Sequence, residues 1–142
     1  MSRFVVDACV AVKWVVTEEH SDAALRFLMK GDALVVPDLF FPEIGNVFCK
    51  KCRQGELSLE DAKSALRDLL AITLEVHPTQ SLVVESLGMS SRWGCSVYDG
   101  VYLALAAREG CSFVTADQRF IQMMSASGFS ENIVWIEEAA AP

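Results

Sequence analysis

Nineteen of the 142 residues are acidic, and four of them stand where solvation alone would not put them. Asp7 follows directly on the apolar run Phe4-Val5-Val6, and Asp117 follows Val114-Thr115-Ala116 in the same way. Asp99 opens a run of small and apolar residues, and Glu43 falls among apolar neighbours, where a carboxylate is costly without a partner. Glu43, Asn46 and Lys50 are spaced i, i+3 and i+7, so one helix face presents an acid, an amide and a cation in line. Carboxylates gathered in one crevice raise one another's pKa unless a cation sits among them. Oxygen donors without Cys or His select Mg²⁺ or Mn²⁺ over zinc. The chemistry expected of such a set is hydrolysis of a phosphodiester by metal-activated water, with the metal also neutralising charge at phosphorus.

Each acid also has a plain structural reading. Asp7 and Asp117 can cap the helices that follow them, Asp99 can complete a capping box begun by Ser96, and Glu43 can pair with Lys50 or reach water. Caps at three separate places have no reason to converge, so convergence of all four in one crevice would favour the chemical reading.

The elements that must position them follow from periodicity. Strands are expected over residues 3–7, 33–36, 72–76, 112–115 and 133–136. Helical stretches are expected through Ala11, Val12, Trp14 and Val15, then over 21–29, from Asp38 to Arg53, from Ser58 to Leu70, over 80–92, from Ser96 to Arg108 and over 118–126. Pro42 sits early enough in its helix to be tolerated, and Gly31, Gly55, Gly110 and Gly128 act as stops. Strands alternating with helices imply an α/β fold: one domain over 1–138, a mainly parallel sheet of about five short strands with helices on both faces, and a frayed tail over 139–142. In such a sheet the ligand crevice lies beyond the carboxyl ends of the strands, where Asp7 and Asp117 are expected.

Composition fits a single self-sufficient domain: 52% apolar and 22% charged residues describe a core-forming chain. A net charge of −7 argues against gripping duplex DNA by bulk positive charge. Setting the four acids aside leaves −3, a mildly acidic surface. Five cysteines, an odd number without regular spacing, suit reduced thiols in a cytoplasm. The pair Cys49 and Cys52 would need two more ligands to hold zinc, and His20 and His77 stand alone in the sequence. No apolar stretch approaches the roughly 20 residues that span a bilayer, and the start lacks the apolar core of a signal peptide. A soluble, cytoplasmic protein is expected.

Four blocks in order carry a resemblance: Phe4-Val-Val-Asp7-Ala, Val36-Pro-Asp-Leu-Phe-Phe-Pro-Glu43-Ile-Gly-Asn46, Ser96-Val-Tyr-Asp99-Gly-Val-Tyr-Leu-Ala-Leu-Ala106 and Val114-Thr-Ala-Asp117-Gln-Arg. Together they resemble the PIN-domain family, in particular the VapC-like toxins of toxin–antitoxin pairs. The resemblance implies a Rossmann-like fold and a Mg²⁺- or Mn²⁺-dependent ribonuclease. It maps the catalytic, metal-holding acids onto Asp7, Glu43, Asp99 and Asp117, and the supporting polar positions onto Asn46 and Thr115. Gly100 stands where the family more often has Ala, and no second acid follows closely on Asp117. Other proteins of the same class fit worse: Asp7 is followed by Ala8 and Cys9, not by the paired acids of receiver domains or the Asp-x-Asp of haloacid-dehalogenase-type phosphatases, and no phosphate-cradling glycine loop is present.

Lys50, Lys51, Arg53 and Arg119 are candidate RNA contacts, with Arg92 and Arg108 near the other blocks; the bland alternative is a solvated helix end. The resemblance further implies an antitoxin, VapB-like, docking near the active site with a basic side chain among the acids, and a homodimer. Trp14, Phe40, Phe41 and Phe48 are candidates for a partner groove, although most should be core. A non-toxic RNA-processing nuclease and a catalytically silent metal- or partner-binding module remain as alternatives.

Overall fold

Five short strands lie side by side in the order β3-β2-β1-β4-β5, all parallel, in the computed structural model, which describes residues 2–142. They are β1 (Arg3–Val6), β2 (Ala33–Pro37), β3 (Glu75–His77), β4 (Ser112–Thr115) and β5 (Ile133–Trp135). Alternation along the strands builds two cores. Val6, Leu34, Val36 and Val114 face one layer of helices: α1 (Ala8–Val12), α2 (Ser21–Met29), α3 (Phe40–Arg53), α4 (Leu59–Leu70) and α8 (Ile136–Ala139). Val5, Val35 and Phe113 face the other: α5 (Val83–Trp93), α6 (Val97–Glu109) and α7 (Gln118–Met123). The strand order switches at β1, from which β2 and β3 are added on one flank and β4 and β5 on the other, and this opens a crevice beyond the carboxyl ends of these strands.

Helix α6 is buried without interruption from Gly100 to Ala106 and so carries apolar side chains on every side, with Tyr102 the one that ends in a polar group. A Cβ at Gly100 would lie 3.1 Å from the Ser86 carbonyl oxygen and 3.2 Å from its Cα, so the glycine lets α5 and α6 close on each other. The glycine that stands where an alanine is more usual is therefore accounted for by this close packing.

Several boundaries differ from expectation. The third strand is Glu75–His77, not 72–76: Ile72 and Leu74 pack into the first core from the loop before it, while the edge strand itself is largely polar. The helix expected over 80–92 begins as a 3₁₀ turn, Thr79–Leu82, and continues as α5 to Trp93. Asp38 does not start α3; its Oδ1 accepts from the Thr79 N–H at 2.9 Å, tying the β2 end to the segment after β3. Helix α7 ends at Met123, and Ile136 leaves β5 to open α8. The tail expected to fray from 139 is partly anchored: Ala139 and Ala140 are buried, and Lys30 Nζ donates to the carbonyls of Ala139 and Ala141 at 2.7 Å each. Among the described residues no helix is long and apolar enough to cross a membrane.

Candidate active site

The structure puts Asp7 and Asp117 at the carboxyl edge as expected, and it shows them capping as well. Asp7 is the N-cap of α1, and its backbone N–H donates to the Val114 carbonyl at 3.0 Å, continuing the β1–β4 ladder by one bond. Its Oδ2 accepts from the Thr115 hydroxyl at 2.8 Å. That same hydroxyl oxygen accepts the Asp117 N–H at 3.1 Å, so fully buried Thr115 fixes both acids at once. Asp117 Oδ1 accepts the Phe120 N–H at 3.1 Å, while the residue itself stays exposed.

Asp99 lies in the first turn of α6, behind the Ser96 N-cap, whose hydroxyl accepts the Asp99 N–H at 3.0 Å. Glu43 lies in the first turn of α3 and accepts at Oε1 from the Tyr102 hydroxyl at 2.6 Å. Tyr102 is a functional residue that sequence reasoning misses; its one signal is a phenol three residues after Asp99, inside an otherwise apolar stretch.

Asp7, Glu43, Asn46 and Tyr98 line a cleft of about 500 Å³, together with Leu39, Pro42 and Val47. Asp99 and Asp117 do not line it, but they are near enough for their charges to act on the acids: Asp99 on Glu43, and Asp117 on Asp7 and Asp99. Burial raises the Asp7 carboxyl, and Asp117 adds to the shift. Burial lifts Glu43 to about 7, opposed by the Tyr102 hydrogen bond and reinforced by repulsion from Asp7 and Asp99. Burial lifts Asp99 to about 6, with repulsion from Asp7 next and from Asp117 a smaller contribution. Half-buried acids that repel one another are what a bound cation relieves. The donors are all carboxylate oxygens, which suits a hard divalent ion. No three of them come within 4.8 Å of each other among the described residues, a spacing compatible with Mg²⁺, which keeps several waters and takes only one or two carboxylates directly. The residues present therefore fit such an ion.

A tighter trio, Glu75, His77 and Glu109, lies elsewhere, so His77 does not stand alone. Arg3 donates to both carboxylates, at 3.0 Å to Glu109, and Arg108 Nε stands 3.8 Å from Glu109. Two guanidiniums make this a charge-balanced clasp joining β1, β3 and α6 at the opposite end of α6 from Asp99. Arg108 is thereby removed from the acids. Of the proposed RNA-contacting cations, Lys50, Arg53 and Arg119 are exposed, but Lys51 is pinned between Glu18 at 3.0 Å and Glu56 at 3.3 Å. Trp14, Phe40 and Phe48 are core residues, and only Phe41 is partly exposed.

Residues 4–124 match the family model of the PIN domain. The chain belongs to the PIN domain family. It is 29% identical to Ribonuclease VapC3 of Pyrobaculum aerophilum over 126 residues, 87% of this chain and 96% of that protein. Among solved structures this PIN domain resembles PAE2754 from Pyrobaculum aerophilum, with a TM-score of 0.74 at 22% identity over 98% of this chain and 87% of that one. It also resembles a chain of a toxin–antitoxin complex from Klebsiella pneumoniae, with a TM-score of 0.60 at 13% identity over 97% and 99% of the two chains.

Proposed function

We propose that this PIN domain is a Mg²⁺- or Mn²⁺-dependent endoribonuclease and the toxin of a toxin–antitoxin pair. The observation that carries the reading is geometric: Asp7 and Glu43 line one cleft at the carboxyl edge of the sheet, with Asp7 and Asp117 held through the same Thr115 hydroxyl and Asp99 in the first turn of α6; burial, with repulsion from neighbouring acids, raises Asp7, Glu43 and Asp99 there. Asp7, Glu43, Asp99 and Asp117 would hold the ion between them, one or two directly and the others through its waters. When bound, it supplies Lewis-acid stabilisation of a phosphodiester and activation of water. The chain's own part is positional: Thr115 orients Asp7 and Asp117, Tyr102 orients Glu43, and the exposed Lys50, Arg53 and Arg119 draw in a phosphate backbone. The family relative named as a ribonuclease supports RNA as the substrate.

A VapB-like antitoxin and a homodimer belong to the same reading, as does a cytoplasmic site of action. An apolar groove of about 280 Å³ between α3 and α4, lined by Phe48, Cys49, Cys52, Leu59, Ala62 and Leu66, suits an antitoxin helix that continues toward the acids. Induced expression without any partner tests the toxin role. Wild type is expected to arrest growth and fragment RNA while Asp99→Ala does neither; unimpeded growth with intact RNA would contradict it.

A further inference from the structure

The cleft beside the acids is more than an ion site needs. At about 500 Å³ it falls in the range of small-ligand pockets, and much of its lining is apolar. Helices α3 and α6 meet across it at the Tyr102–Glu43 hydrogen bond. On α3, Asn46 and Val47 share the face of Glu43 at helical spacing, Leu39 precedes Glu43 by one turn, and Pro42, one turn before Asn46, completes the lining on that side. On α6, Tyr98 lies one turn before Tyr102 and next to Asp99; it lines the cleft and is 62% exposed. Asn46 makes no side-chain hydrogen bond among the described residues and stands in the same lining. Carboxylates at one place, an accessible aromatic ring and an apolar helix face at another are the parts of a nucleotide site, in which phosphate and base are handled separately.

We propose that this cleft is a nucleobase slot, in which the base next to the reacting phosphate stacks on Tyr98 against the Leu39–Pro42–Val47 face, with the Asn46 amide facing its polar edge. The proposal rests on the reading of RNA as substrate. Aromatic side chains take up unstacked bases in this way, and each stacked base adds markedly to affinity.

The test is equilibrium binding of a fluorescent single-stranded RNA, with Mg²⁺, to the Asp99→Asn protein, which retains the slot and is expected not to cleave. Adding Tyr98→Ala is expected to weaken binding by about 5- to 100-fold, and adding Tyr98→Phe to change it by less than about 2-fold. An abasic strand of equal length should bind the three proteins alike. Undiminished binding of the base-bearing RNA by the Tyr98→Ala protein overturns the slot and leaves RNA as substrate standing. Equal losses on both strands also overturn it, since the ring would then serve the backbone or the fold. If neither the Asp99→Asn protein nor the wild-type protein binds either strand, the RNA reading itself falls, and the slot with it.

Discussion

Tyr102 on α6 donates a 2.6 Å hydrogen bond to Oε1 of Glu43 on α3, from a position 1% exposed. It joins residues 59 apart in sequence and holds an acid of one helix against the helix that bears Asp99. A buried donor to a carboxylate contributes more than a neutral hydrogen bond.

Tyr102→Phe removes that donor and little else. It should cost about 1–2 kcal/mol of stability and lower Mn²⁺ affinity roughly 5-fold, read by urea unfolding and calorimetric titration. An unchanged Mn²⁺ affinity would show that the phenol only supports the fold.

The pH dependence has a definite sign. Glu43 at about 7 and Asp99 at about 6 lie above their ordinary 4.5 and 3.8, so across those intervals the folded protein binds more protons than the unfolded chain. Their contribution to stability is therefore lost as pH rises through the folded values. Without metal, these two groups make the protein melt lower at about pH 8 than at about pH 5.5. Mg²⁺ should raise the melting temperature more at the higher pH, because ionised carboxylates bind it. Equal Mg²⁺ increments at both would contradict the arrangement.

Gly100→Ala sets helix propensity against packing. Alanine is favoured in a helix by about 1 kcal/mol, but its Cβ would meet the Ser86 backbone at 3.1–3.2 Å. Net destabilisation of about 1–3 kcal/mol in urea is expected, and a gain in stability would show that α5 yields freely.

Lysines 50 and 51 should separate. Lys51→Ala breaks the pairing with Glu18 and Glu56 and should lower thermal stability with little change in RNA affinity. Lys50→Ala combined with Arg53→Ala should weaken RNA binding and flatten its salt dependence. The reverse pattern in binding titrations would reassign the cations.

What could be read in advance was what one stretch of chain determines by itself. Ser58 and Ser96 cap their helices, each through the N–H three residues on. Asp7 and Asp117 fall at the strand ends because the apolar runs before them are short. The capping reading of these acids holds, and capping does not exclude the chemical one, since it engages only some of the oxygens of each carboxylate. What could not be read depends on distant partners. Lys51 looks free until Glu18 arrives from the α1–α2 loop, and Tyr102 looks like core until α3 brings Glu43 to it. Ile72 and Leu74 imitate a strand because a loop crossing a core needs apolar residues too. The terminal alanines gave no sign of the Lys30 ammonium that anchors them.

The most direct measurement is RNA cleavage by the purified, partner-free protein. With Mg²⁺ or Mn²⁺, structured RNA should be cut internally, EDTA should stop the reaction, re-added metal should restore it, and Asp7→Ala and Asp99→Ala should each abolish it while remaining folded. RNA left intact by protein that binds the metal, or cleavage that survives EDTA or either substitution, would contradict the account.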